Sequence, residues 1–163
     1  MRRYLFLSLV SLSTVIYSEQ YSNPSHIEQF KKTGICESCD LSGDYFHSTE
    51  KSGAITLNNS NLIRSSLNIS GNRQFSSFNR IMAVEFSLGT ADFSYSNFSF
   101  ANLTNARMSH SNFTSSDFSG ANLSGASFSG AILYNAKITQ EQLKSLSSIC
   151  NAILPNGEIG SCT

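Results

Sequence analysis

Tryptophan is absent, proline occurs only at Pro24 and Pro155, and charged residues make up just 13% of the 163 residues. A chain this poor in charge owes its solubility to neutral polar groups, here Ser, Thr and Asn. Basic and acidic residues number 11 each, so no excess of either sign marks it for nucleic acid. The three histidines, His26, His47 and His110, are scattered without a partner at ligand spacing, which removes a metal centre. No glycine-rich phosphate loop, HExxH or GxSxG motif occurs, so no catalytic, cofactor-binding or metal residue is nominated and no cofactor is expected. The longest apolar run, 4–16, falls short of the ~20 residues that a membrane helix needs.

That run follows Arg2 and Arg3 and precedes small residues near Ser18. The pattern reads as a signal peptide over 1–18, against a buried first helix or an uncleaved anchor. Its removal leaves 9 basic and 11 acidic residues, a net charge of −2. The mature chain is then expected in the bacterial periplasm or secreted, with no stable membrane anchor. Residues 19–35 read as a disordered lead-in and a short N-terminal cap helix. Ile27 and Phe30 on one side and Glu28, Lys31 and Lys32 on the other place the helix at 25–33, with Gly34 as its stop.

What the chain has in abundance is a period. From Thr90 to Thr139, ten units in a row carry a large apolar residue at every fifth position, with Ala or Ser two places before it. The large residues are Phe93, Phe98, Leu103, Met108, Phe113, Phe118, Leu123, Phe128, Leu133 and Ile138, and Phe78 precedes them in frame. Helices repeat every 3.6 residues and strands every 2. A period of five therefore implies a coil in which like positions stack, as in solenoid proteins. The large and the small residue face inward and the other three face water. Ala121→Leu is expected to overpack the axis, costing about 1–3 kcal/mol. Leu41 and Phe46 begin the pattern, and Leu57, Leu62 and Leu67 resume it one residue out of frame. A second slip is expected between Asn72 and Phe78. Residues 72–89 hold more large side chains than inward positions accommodate, so Arg73, Phe75, Arg80, Met82, Val84 and Phe86 form a candidate interaction patch. A distorted coil is the alternative.

The A(D/N)Lxx units, exemplified by Ala101-Asn102-Leu103 and Ala121-Asn122-Leu123, resemble the pentapeptide-repeat proteins. The resemblance covers roughly 29–157. It includes the Cys36-x-x-Cys39 that leads into the first repeat, and the Gln142-Leu143 helix followed by Pro155-Asn156-Gly157. It implies an all-β solenoid: a right-handed quadrilateral parallel β-helix over 36–138, irregular at 72–89, with short α-helical caps at both ends. Every twentieth residue then stacks, giving columns such as Phe78, Phe98, Phe118 and Ile138. A capping box at Thr139 and Gln142 opens the C-terminal cap, 139–163, in a helix that ends at 147–148. A last strand is expected over 149–154.

Four cysteines in an exported chain suggest two disulfides, with three pairings on paper. In the implied fold Leu41 and Ile138 lie about five coils apart, over 20 Å at ~4.8 Å per coil. That exceeds the roughly 4.4–6.8 Å a disulfide spans between Cα atoms. Cys36–Cys39 and Cys150–Cys162 remain, and zinc held by all four fails for the same reason.

The expected function is a non-enzymatic structural or protein-interaction module with an unidentified protein partner, or self-association as a homodimer. Thiol–disulfide redox activity at Cys36 and Cys39 is the alternative, opposed by the anionic Glu37 and Asp40. Some family members mimic DNA and protect topoisomerases, which requires an acidic rod. Between Leu41 and Ile138 the acids Asp44, Glu50, Glu85, Asp92 and Asp117 face six bases, Lys51, Arg64, Arg73, Arg80, Arg107 and Lys137. Binding of ice or glycan through a hydroxyl ladder of Ser94, Ser99, Thr104, Ser109 and Thr114 ranks last. The N-x-[ST] matches follow from the repeat and say nothing about glycosylation.

Overall fold

The computed structural model describes residues 22–47 and 53–162. The expected signal peptide and the start of the lead-in lie outside the described residues. Helix α1 spans Pro24–Thr33, one residue earlier than the apolar spacing indicates. Asn23 caps it by accepting from the Ser25 N–H at 3.0 Å, and Pro24 supplies a preset φ in the first turn. Gly34, at φ +71°, ends it by donating to the Phe30 carbonyl, a left-handed stop that only glycine adopts freely. Phe30 is buried and meets Phe46 edge-on with centroids 5.1 Å apart. The helix is thereby fixed to the first coil through its single fully buried side chain.

From Ile35 onward the chain passes beside itself in parallel ladders. One ladder runs Ile35, Thr56, Ser77, Asn97, Asp117 and Lys137, stepping by 21 residues twice and by 20 thereafter. Three further ladders pass through Asn102, Arg107 and Asn112. Among the described residues only one is regular enough to form strands: β1 (Tyr45–His47), β2 (Ser66–Asn68) and β3 (Ser87–Leu88), paired in parallel in that order. The bonds alternate up and down the stack. The Phe78 N–H donates to Asn97 above at 2.7 Å, while the Asn97 N–H donates to Ser76 below at 2.9 Å. Inward positions close around a continuous apolar core. Phe78, Phe98 and Phe118 stack in one column, 4.7 and 5.0 Å apart with planes within 8°. Neighbouring columns meet edge-on, as at Phe98 and Phe113, 5.6 Å and 77°. Offset stacking along the axis and edge contacts across it both suit the ring quadrupole.

The two 21-residue steps mark extra residues. The second lies within 68–71, not between Asn72 and Phe78, because Asn72 already pairs with Asp92 in the 20-residue frame. Ile69 tucks its side chain into the core there, 1% exposed. Arg73 then takes an inward position, 3% exposed, where an apolar residue would have revealed the frame. The expected overcrowding at 72–89 does not occur. Ile81 and Phe86 occupy inward sites normally held by small residues, and Ala83 takes the neighbouring large-residue site. Large and small have exchanged places, so packing density is kept.

Helix α2 covers Gln140–Ser145, starting in a capping box between Thr139 and Gln142 and ending earlier than 147–148. Leu143 and Leu146 pack against the core. Residues 149–154 form no strand. The chain turns at Asn151, φ +58°, and continues the coil through bridges from Ser148 to Ser127 and from Ile153 to Ile132. Among the described residues no helix is long and apolar enough to cross a membrane.

Candidate functional site

Most repeats turn a corner after the large inward residue, and the last residue of the turn has positive φ; the corners after Leu67 and Leu88 do not. Glycine and asparagine suit that conformation, and Asn105, Gly120, Gly125, Gly130 and Asn135 supply it. Phe75, Arg80, Tyr95 and Phe100 sit in the same conformation, with φ between 56° and 61°. Their side chains cannot reach the core from there. Phe75 is 68% exposed, Tyr95 55% and Phe100 60%.

The coil spacing brings these four together. Tyr95 lies one coil above Phe75, and the rings stack at 5.3 Å and 14°. Phe100 lies one coil above Arg80, whose guanidinium carbon sits 5.7 Å from the ring centre, a cation–π contact. The two pairs occupy successive corners on either side of the Ser77–Asn97 ladder. Between them is a polar strip in which Asn79 donates to the Ser99 carbonyl and hydroxyl at 3.0 and 2.8 Å. Met82, 46% exposed, borders the patch on the next ladder.

The candidate patch read from the sequence is thus divided. Phe75, Arg80 and Met82 are outside and Val84 is half-buried, whereas Arg73 and Phe86 belong to the interior. Phe86→Ser would probe the core, not the surface. Arg73 donates to the Gly53 carbonyl at 3.3 Å, and burial lowers its pKa from the usual value. Tyr95 and Phe100 were missed because they fall inside the regular array. Their signal was an aromatic at the turn position, where Gly, Asn or Ser is the physical default.

The hydroxyl ladder does not exist as one surface. Ser94, Ser99, Thr104 and Ser109 each follow a different ladder, because like positions recur every 20 residues and not every five. Several of these hydroxyls are also engaged: Ser99, Thr104 and Thr114 donate to Asn97, Asn102 and Asn112 at 2.6–2.7 Å. Where a repeat carries Asn or Asp before its large residue, that side chain accepts from the residue two positions on and so holds the turn. At Asp92 burial raises the carboxyl pKa, but hydrogen bonds from Ser94, Gln74 and Asn112 outweigh it, and the group stays below its usual range. Asp117 is likewise raised by burial and lowered further by Ser119 and by Lys137, 3.2 Å away.

Cys36 is bonded to Cys39 and Cys150 to Cys162. Cys36 and Cys39 are buried at 0% and 4% exposure, so a substrate thiolate has no approach to either sulfur. Among the described residues no cluster of His, Cys, Asp and Glu is arranged to hold a metal ion.

Residues 83–109, 91–130 and 106–140 match the family model described as Pentapeptide repeats (8 copies). Among solved structures, trypsin-treated QnrB1, a plasmid-mediated fluoroquinolone resistance protein, is 18% identical with a TM-score of 0.37. That match covers 61% of this chain, which spans only 56% of the QnrB1 chain. A pentapeptide repeat protein of the Arabidopsis thaliana thylakoid lumen is 20% identical over 77% of this chain and 84% of its own, TM-score 0.44. One from the cyanobacterium Cyanothece is 18% identical over 80% and 97%, TM-score 0.37. No curated protein matches the chain.

Proposed function

The chain is a pentapeptide-repeat protein, and on that premise we propose that it is a non-enzymatic interaction module exported from a bacterial cell. Its body is a right-handed, four-sided β-helix closed at its ends by α1 and α2. Family members serve generally as structural or interaction modules. The module engages a protein partner, or a second copy of itself, through the Phe75–Tyr95 and Arg80–Phe100 corners.

One observation carries this reading: three exposed aromatic residues occupy a backbone conformation that penalises them. A non-glycine residue in the left-handed region costs about 1–2 kcal/mol, and an exposed ring recovers little of that from burial. Strained residues without a packing role concentrate at functional surfaces. Aromatic residues and Arg are also the side chains that dominate binding hot spots. Among the described residues the walls carry mixed pairs, Arg64–Glu85 and Lys137–Asp117, and no acidic stripe suited to imitating a nucleic acid, so neither DNA mimicry nor nucleic-acid binding is part of the proposal.

The test compares the wild type with a Phe75→Ser, Tyr95→Ser, Phe100→Ser variant by cross-linking in periplasmic extract and by sedimentation. The variant should lose its partner or its self-association while keeping its thermal midpoint. An unchanged partner set and oligomeric state would end the reading. Export is checked separately by fractionation and by a mature N-terminus near residue 19.

A further inference from the structure

The ladder that carries β1, β2 and β3 lies two ladders away from the polar strip between the aromatic corners. On this side a shallow, mostly polar groove of about 480 Å³ opens to solvent. Its floor is formed by Ser66 and Ser87, the outward residues of β2 and β3, and by Gly89. A Cβ at Gly89 would meet the backbone N and O of Ile69 at 2.8 Å. The extra residue at 68–71 therefore presses the two coils together here and admits no side chain on the floor. One wall is Arg64, whose Nε is held by Glu85 at 2.9 Å. The other is Tyr45, more than half exposed, whose hydroxyl accepts from Asn68 at 3.1 Å. Arg107 completes the lining.

The chemistry of the lining is specific in three respects. First, two guanidinium groups face one carboxylate, leaving a single surplus positive charge. The Arg64–Glu85 pair uses Nε alone, so among the described residues both Nη atoms of Arg64 and the whole Arg107 head make no hydrogen bond. Second, the floor offers the hydroxyls of Ser66 and Ser87, which bond no other described residue, and Asn68 adds an amide. Third, the groove contains one exposed aromatic ring. A single negative charge, several hydroxyls and a flat apolar face are the attributes of a sugar acid. A polyphosphate carries more charge than one surplus cation balances, and a neutral peptide leaves the guanidinium of Arg107 unmatched.

We propose that this groove binds an acidic sugar through its carboxylate. Arg107 and the Nη edge of Arg64 grip the carboxylate, and charge-assisted bonds of this kind are the stronger class. Ser66, Ser87 and Asn68 take the ring hydroxyls, and Tyr45 lies against the ring.

The test is titration of the disulfide-bonded full chain with D-glucuronate, followed by NMR shifts. Glucose and inorganic phosphate serve as comparators. Glucuronate should bind saturably, and glucose about tenfold or more weakly, the change expected for one lost charged contact. Arg107→Gln should weaken glucuronate by a similar factor with the thermal midpoint unchanged. Tyr45→Ala should weaken glucuronate but not phosphate. No saturable glucuronate binding, or binding untouched by Arg107→Gln, overturns the proposal. Phosphate binding as tightly as glucuronate, with Tyr45→Ala silent, also overturns it and leaves only an anion site.

Discussion

Phe75, Tyr95 and Phe100 stand where the fold prefers glycine or asparagine, and their neighbours along the coils show what the preferred choice looks like. Replacing Tyr95 and Phe100 with Asn should therefore not destabilise the protein. The left-handed penalty, about 1–2 kcal/mol for each bulky residue, outweighs or matches a surface stack worth roughly 0.5–1.5 kcal/mol. A denaturant midpoint equal to or above that of the wild type is expected, together with loss of binding. That is the usual trade between activity and stability. The aspartates of the turns give a second residue-level prediction. Asp92 and Asp117 have lowered pKa values in the folded state. Their stabilisation is therefore complete above the unfolded carboxyl pKa, about 3.9, and is lost as pH falls through the lower folded value. Asn already occupies the equivalent place at Asn97, Asn102, Asn112 and Asn122. Asp92→Asn with Asp117→Asn should keep the turns but forfeit the charge-dependent stabilisation near pH 7, and so flatten the acid limb of a melting-temperature profile against pH. An acid limb identical to that of the wild type would assign the loss to other carboxylates.

At the scale of the element, one corner constrains the next. The Phe100 ring lies over Gly120 of the following coil, so closely that a Cβ there would come within 2.7 Å of it. Gly120→Ala thus faces two costs, the positive φ of +67° and the clash, and should destabilise by about 1–3 kcal/mol. With Phe100 first changed to Asn only the backbone cost remains. A double-mutant cycle measured by chemical denaturation should show coupling of about 0.5 kcal/mol or more, and strict additivity would mean that the ring swings clear at little cost. This coupling explains what the sequence could disclose. The inward frame was legible because Phe98, Leu103 and their fellows repeat a single requirement, burial, at a single spacing. Both helices were legible from local chemistry: Gly34 as a stop and Thr139 with Gln142 as a start. The slip at 68–71 was not, because it depends on Arg73 filling an apolar site and on Ile81 and Ala83 exchanging sizes, trades that only neighbouring coils make visible. The aromatic corners were hidden for a related reason. Phe75 meets Tyr95, and Arg80 meets Phe100, across a 20-residue step that a five-residue period does not single out.

The molecule as a whole is close to one-dimensional, since ladder pairing joins residues 20 or 21 apart and so links each coil only to the next. Damage should then stay near its origin. The last coil is the best place to test this. It is held by bonds such as Leu133 N–H to Ile153 at 2.7 Å and Gly130 N–H to Cys150 at 2.8 Å. The tail folds back over it through Asn151 N–H to Gly160 and Gly160 N–H to Ala152, and Cys162 is fastened to Cys150. A disulfide closing a loop of this size contributes up to about 3 kcal/mol, and here that contribution falls on the tail and the coil beneath it. Cys150→Ser with Cys162→Ser should release the tail and shorten amide-exchange lifetimes at Asn151, Ile153 and Gly160 by one to two orders of magnitude, on the order of 1.4–2.8 kcal/mol. The amides of Phe98, Leu103 and Phe113 should keep their protection, because at least one intact coil separates them from the tail and the stacked Phe columns around them are undisturbed. If those central amides lost protection to the same extent, the coils would be opening together as one cooperative unit. The nearest-neighbour account of this rod would then be wrong.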